Sequence, residues 1–404
     1  MKKSWIPDTP LEPISGQLPT LFLCRPGYEQ ALLDEISDHL GRHETIAGAS
    51  AQHEFGRGWL LIRNPPRHPA PYIFERQRLP RAELMAGASR RKLAQAVSRR
   101  FMPELRDGTG WTLHAFTAEA SGADSAEKRI AGIAKEVLIL AAADFPGAYG
   151  DYREPGIALA ESVDRVLQLA LTDAGLWGAL VASRDLSDPF PGGVHRMQPA
   201  PGAPSRSYLK IAEALDLFGD APAPGQRVID LGAAPGGWSY AFLAKGCDVI
   251  AVDRGSIKIR GMDDLPGRLT HLREDGLRYR PPEPWVPVDW LLSDMLIPPG
   301  VTLGLLRKWL ERSWMHRFIV NIKLPQRNPY RALEPIARFL DDAVGSGAGL
   351  AVGMRQLYHD RREVTVWGRV TSQSPQQPGT GAKRGKRRKR TQPAARRRLG
   401  RRAP

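Results

Sequence analysis

Cysteine is nearly absent from the 404 residues: Cys24 and Cys247 lie far apart and form no CxxC pair or Cys/His cluster. That rules against a disulfide framework and a structural zinc site, and leaves two buried free thiols as the expectation. Long apolar runs are missing too, since no stretch approaches the ~20 residues that a membrane helix needs. The N-terminus, MKKSWIPDTPLEP, has two lysines but then Pro, Asp and Pro where a secretory signal carries its apolar core. A cytoplasmic protein that spans no membrane is expected. Acid is lacking in one region only. From Thr371 to Pro404 there are twelve Lys or Arg and no Asp or Glu, so the net charge of +15 falls to +3 for residues 1–370. The body is mildly basic, and the tail carries the polyanion signal. With Gly, Pro, Gln and Ser between its charges, the segment 372–404 has too little apolar surface to fold alone and is expected to be disordered. It reads either as auxiliary RNA affinity, strongly salt-dependent, or as a solubilising tail.

At 42% hydrophobic residues, the chain has material for two or three cores. Residues 1–18 are Pro-rich and predict an extended arm. LFLCR, then YEQALLDEISDHL with Ala31, Leu32, Ile36 and Leu40 at helical spacing, then GWLLIRN, predict a small ferredoxin-like α/β module over 19–75. The region 76–196 has a basic helix carrying Arg90, Arg91, Lys92, Leu93, Ala96, Val97 and Phe101, an alternating strand WTLHAFT and a long helix from Ala126 to Ala143. Strand candidates follow at Ile157–Thr172 and Trp177–Ser183. It contains no acid/base constellation and reads as a binding or positioning region. MQPAPGAPS, spanning 197–205, is the hinge.

A βα series follows over 206–371. The helix SYLKIAEALDLF carries Lys210 near its first turn. Six strands are predicted: RVIDL, KGCDVIAVD ending in Asp253, LTHLRED ending in Asp275, VDWLLSD ending in Asp294, RFIVNIK ending in Lys323, and REVTVWGRV. Six strands with helices between most of them predict a doubly wound α/β sheet. Ligands of such sheets sit outside the carboxyl ends of the strands, so the turn GAAPGG, Asp253, Asp275, Asp294 and Lys323 are expected to converge. Asp253 follows Asp230 by 23 residues, close to the ~20 that separate a glycine turn from an acid gripping ribose hydroxyls. The turn lacks the G-x-G-x-x-G spacing of a dinucleotide site and has no Lys or Arg to neutralise a diphosphate. A cofactor with adenosine but no phosphates fits better, and S-adenosylmethionine is the leading candidate.

DLGAAPGGW resembles the first motif of class I methyltransferases that modify RNA ribose 2′-hydroxyls. APSRSYLKIAEA, LREDGLRYRP, NIKLP with the following Arg327 to Tyr330, and RQLYHDRREVTV are together similar to the RlmM family. The match runs from about Leu21 to Val370, loose in the N-terminal half and dense from Ala203; the Lys383–Arg402 run lies outside the family pattern. The resemblance implies a Rossmann-like class I methyltransferase domain preceded by a mixed α/β THUMP-containing RNA-binding region. It implies transfer from S-adenosylmethionine to a cytidine ribose of 23S rRNA, at the family's position 2498 in the peptidyl-transferase region. The partner would be 23S rRNA or a precursor of the large ribosomal subunit, with a monomeric enzyme and no metal. A Lys-Asp-Lys-Glu tetrad is carried onto Lys210, Asp294, Lys323 and Glu363, with Lys323 as general base. The donor site is carried onto Ser207, Ala234, Pro235, Gly236, Gly237, Asp253, Asp275 and Asp294. Arg327, Tyr330 and Arg331 are placed to touch RNA, and His359 to orient a loop or touch RNA. The alternative from another class is an RNA-binding assembly factor with an inactive methyltransferase domain.

Overall fold

Three β-sheets organise the residues that the computed structural model describes, which are 18–43, 53–63, 65, 71–105, 108–118, 124–156, 158, 163–345 and 349–370. The Pro-rich arm up to residue 17 and the polybasic tail from 371 lie outside them. The first sheet has the order β2-β3-β1-β4, all antiparallel, with β1 at Thr20–Cys24, β2 at His53–Gly56, β3 at Trp59–Ile62 and β4 at Glu75–Leu79. Helix α1, Glu29–His43, follows β1. The second sheet has the order β5-β8-β7-β6, from Glu83–Met85, Gly175–Ala182, Arg165–Thr172 and Trp111–Thr117. Helices α2 (Arg90–Phe101) and α3 (Asp124–Asp144) share a buried cluster with it through Leu93, Val97, Ile133 and Val137; α4 is the short Pro146–Gly150 turn.

The third sheet carries seven strands, not the six that the sequence pattern predicts. Its order is β11-β10-β9-β12-β13-β15-β14, from Arg268–Leu272, Asp248–Val252, Arg227–Leu231, Val288–Ser293, Met315–Lys323, Glu363–Val370 and Leu350–Arg355. The added strand is the edge strand β14. It pairs on one side only and is mostly half-exposed, although its text, LAVGM before Arg355, is an apolar run. The first five strands are parallel, and β15 enters antiparallel between β13 and β14. Helices between the strands are fewer than expected. Only α6 (Gly237–Leu243), α7 (Pro299–Glu311) and α8 (Pro329–Gly345) lie in strand connections, while α5 (Tyr208–Phe218) precedes the sheet. The β10–β11 and β11–β12 connections carry only single 3₁₀ turns among the described residues.

Alternation along the strands sorts the sheet into two faces. Ile229, Leu291, Phe318, Val320, Val364 and Val366 share a buried cluster with Leu333 of α8, Phe22 of β1, Leu32 of α1 and Phe74, just before β4. Val228, Trp290, Leu292 and Ile319 pack instead with Ile211 and Ala214 of α5 and Trp238 and Phe242 of α6. By the same period of two, Asp230, Asn321, Lys323, Glu363 and Thr365 fall on the α5/α6 face. The polar residues of the strands are thus turned toward the helix that bears Lys210. Strand order reverses at β9, which has β10 on one side and β12 on the other, so the crevice lies at the carboxyl ends of these strands. Both cysteines are buried and free, as the sequence predicts.

Candidate active site

The glycine turn is shaped by close approach. Gly232 has φ +77°, and a Cβ there would lie 2.4 Å from Cγ of Met295; Gly236 has φ +108°. A Cβ on Gly237 would lie 2.4 Å from Oγ of Ser207 and 2.6 Å from Oγ of Ser205, which are themselves 2.6 Å apart. The Trp238 indole donates to the Ser207 carbonyl at 3.1 Å. The segment before α5 is therefore pressed against the start of α6. Asp253 spans the turn and its own loop: Oδ2 accepts from the Ala234 amide at 3.0 Å and Oδ1 from the Gly255 amide at 2.6 Å. Asp275 accepts from the Leu277 amide at 3.0 Å and from the Arg254 guanidinium at 3.2 Å. The adjacent Gly276 lies against Met295, the residue after Asp294. Ser207, Ala234, Pro235, Gly236, Gly237, Asp253, Asp275 and Asp294 are thus gathered at one end of the sheet.

Below the turn, Asp230 is buried and accepts a hydrogen bond from Ser239 Oγ at 2.7 Å. Burial pushes its carboxyl up to about 7, against the Ser239 hydrogen bond and with help from the charge of Asp294. Its work is to tie β9 to α6 and so fix the turn between them.

Four charged side chains close a ring beside the turn. Lys323 and Glu363 are cross-strand partners on β13 and β15. Lys323 Nζ donates to Asp294 Oδ1 and, at 2.5 Å, to Glu363 Oε2. Lys210 Nζ pairs with Glu363 Oε1 and, at 3.5 Å, with Asp294 Oδ2. Each lysine touches both carboxylates, and none of the four side chains is more than 18% exposed. Burial works against the Lys323 charge, but Asp294 and Glu363 outweigh it and hold the ammonium pKa above the ordinary lysine range. Burial likewise opposes the Glu363 charge, yet Lys210 and Lys323 hold its carboxyl below the usual carboxylate range. The lysine–lysine repulsion that favours a neutral amine is thus countered in this ring by the two carboxylates between them.

Sequence reasoning missed the residues that hold the ring. Asn321 donates to Asp294 Oδ1 at 3.0 Å, and Thr365 Oγ1 lies 3.2 Å from Asn321 Oδ1 and 3.0 Å from the buried Asp360. Asn321 and Thr365 are themselves a cross-strand pair, one alternation from Lys323 and Glu363. The pattern N-x-K facing E-x-T was the available signal. Glu213, one helical turn after Lys210 on α5, accepts from the Tyr358 amide at 2.7 Å and the His359 amide at 3.0 Å. The RQLYHDRR loop is thereby fastened through the His359 backbone to the helix that carries Lys210. Arg327 and Arg331 are exposed, but Tyr330 is turned inward. Its hydroxyl donates to Asp38 at 2.7 Å because Tyr330, Leu333, Ile336 and Leu340 form the buried face of α8.

A phosphate-free adenosine cofactor fits these residues. The turn brings backbone within reach through Gly232 and Gly236, and it contains no cationic side chain. Asp253 directly follows β10, whereas β11 stops at Leu272, so that Asp275 sits three residues past it in a turn and does not end the strand as the sequence predicts. The sheet order, the glycine turn after its first strand and the charged ring define a class I methyltransferase domain. Residues 203–319 match the FtsJ-like methyltransferase family. The chain is 30% identical over 352 residues to ribosomal RNA large subunit methyltransferase M of Halorhodospira halophila, covering 86% of this chain and 95% of that one. To the protein of that name from Klebsiella pneumoniae it is 29% identical, covering 86% and 94%. To the one from Laribacter hongkongensis it is 40% identical over 198 residues, a match spanning 47% of this chain and 52% of the relative. The chain belongs to the ribosomal RNA large subunit methyltransferase M family, and its methyl donor is S-adenosylmethionine.

Proposed function

We propose that the protein methylates the ribose 2′-hydroxyl of a cytidine in 23S rRNA, the family's position 2498, with Lys323 as general base. The observation that carries this reading is the closed Lys210–Asp294–Lys323–Glu363 ring at the strand ends beside the glycine turn. S-adenosylmethionine supplies an electrophilic methyl group on a sulfonium. Asp253 would hold the ribose end of the donor and Asp275 its adenine amino group; Ala234, Pro235, Gly236, Gly237 and Ser207 would form the floor. The 2′-hydroxyl would displace one carboxylate contact of Lys323, and neutral Nζ would take the hydroxyl proton as the oxygen bonds the methyl carbon in line and the sulfur–methyl bond breaks, leaving a neutral thioether. Lys210 keeps Glu363 in place, and Asn321 keeps Asp294 in place, so the amine is aimed before substrate arrives. Because the ring holds Lys323 protonated at neutral pH, alignment contributes more than pKa tuning, and only a minor neutral fraction reacts.

The two N-terminal sheets serve as the RNA-binding region, a ferredoxin-like module followed by a THUMP-like one, joined through the 197–205 hinge to the catalytic domain. The polybasic tail adds phosphate contacts. The partner is 23S rRNA or a large-subunit precursor, met in the cytoplasm by a monomer. Among the described residues no helix is long and apolar enough to cross a membrane. An assembly factor with a dead methyltransferase domain would have no need of an intact ring, which favours the enzyme. Calorimetry with S-adenosylmethionine and primer extension at low dNTP on rRNA methylated in vitro test the reading. Donor binding with a new stop at one cytidine is the expected result; RNA binding without either overturns it in favour of the assembly factor.

A further inference from the structure

The β13–β15 ladder continues one rung beyond Lys323 and Glu363, where the Leu324 amide donates to the Arg362 carbonyl at 2.8 Å. At that rung the chain leaves the sheet, and a cleft of about 430 Å³ opens between the Pro325–Asn328 turn and the first turns of α1. The volume lies within the ~300–1,000 Å³ of small-molecule sites. Leu324 directly follows Lys323, so the cleft lies just beyond the carboxyl end of the strand that carries the amine.

Its walls have a particular chemistry. Tyr28 and Pro325 supply flat apolar surface, while Gln30, Asp34, Gln326 and Arg362 supply donors and acceptors. The Tyr28 ring is already fixed: it stacks on Phe74 at 5.5 Å with a 21° interplanar angle, and its hydroxyl donates to the Arg361 carbonyl at 3.3 Å. Gln30 donates to Asp34 at 2.8 Å, and that carboxylate has lone pairs left to accept from an amino group. Arg327, Arg361 and Arg362 are exposed at the rim. A rigid aromatic platform, polar edges of both kinds and cations at the mouth suit a planar heterocycle attached to a phosphate backbone.

We propose that this cleft receives a nucleobase of the RNA strand, within one nucleotide of the ribose that is methylated. The inference rests on the RNA methylation proposed above and adds to it a base subsite built from α1 and the segment after Lys323. The base lies on Tyr28 with its polar edge toward Asp34 and Gln326, and Arg362 meets the adjoining phosphate. The first β-sheet module thereby enters the active site directly, since the helix after β1 forms one wall.

The test uses the full-length protein and a 23S rRNA fragment with a 5-iodopyrimidine at the methylated nucleotide or one position to either side. Irradiation followed by mass spectrometry is expected to locate an adduct in residues 25–34 or 325–331. In parallel, Tyr28→Ala and Gln326→Ala are each expected to raise KM for RNA about tenfold. Their kcat should stay within threefold of the parent, and donor affinity by calorimetry should be unchanged, which also reports that the variants fold. Adducts only elsewhere, or an unchanged KM in both folded variants, overturn the subsite. A parent protein that methylates RNA while showing neither effect removes the subsite alone; a parent that does not methylate RNA removes the proposed function with it.

Discussion

Lys323 is held between two carboxylates, and that arrangement sets how its chemistry responds to pH. The shift is upward, so the ammonium form persists through neutral pH and the neutral amine grows about tenfold per pH unit below the shifted value. A stopped-time methylation assay should show kcat rising without a plateau from pH 7 to 9; a flat or falling profile would mean that another group takes the proton. Asn321 donates to the same Asp294 oxygen that Lys323 contacts and acts through that carboxylate. Asn321→Ala is expected to lower kcat by about tenfold with donor affinity and RNA KM unchanged, and a change confined to KM would remove its positioning role. The four members of the ring could be picked out in the sequence because Asp294 and Lys323 close apolar strands and the motif similarity pointed to Lys210 and Glu363. Tyr330 faces the core and not the RNA side expected from the arginines around it, because its direction is set by the helical repeat Tyr330–Leu333–Ile336–Leu340.

At the scale of elements, helix α5 has two duties on adjacent turns. Lys210 enters the ring, and Glu213, only 2% exposed, clamps the loop that leads into β15. Glu213→Ala would leave two half-buried amides without their acceptor, a cost of about 1–3 kcal/mol. Urea denaturation should show that loss, and kcat should fall as Glu363 loses its support; a variant as stable as the parent would contradict the clamp. The parallel strands β9, β10, β12 and β13 could be read from their apolar runs. Strands β2 and β4 could not. β4 reads ERQRL, yet Glu75, Arg76 and Gln77 are all buried, because their partners come from distant segments. Glu75 accepts from Ser187, Gln77 reaches the Asp188 carbonyl, and Arg76 reaches the Gly192 carbonyl. Pairings separated by more than a hundred residues leave no local period.

Across the molecule, the same buried polar junction ties the three sheets together. Arg355 at the end of β14 donates to the carbonyls of Glu75, Arg76 and Ser187 and pairs with Asp188 at 3.3 Å; Asp188 in turn holds His195 at 3.0 Å. One guanidinium thus joins β4 and the segment after the second sheet to the methyltransferase sheet. Arg355→Ala is expected to cost about 3–5 kcal/mol, because Asp188 is left buried with one partner fewer, and calorimetric unfolding would register it. The tail is a separate matter of charge. Deleting residues 376–404 removes all twelve of its cations and should weaken RNA affinity mainly at low salt, with a shallower salt dependence. An unchanged affinity and slope would leave the tail without a role in RNA binding.

The central claim is that the Lys210–Asp294–Lys323–Glu363 ring performs ribose methylation. Nucleoside mass spectrometry of 23S rRNA from a strain lacking the gene, complemented with the parent or with Lys323→Ala, tests it most directly. The account predicts that one 2′-O-methylcytidine disappears on deletion, returns with the parent and stays absent with Lys323→Ala, although the variant still binds S-adenosylmethionine. Methylation that persists in the deletion strain, or is restored by Lys323→Ala, would contradict it.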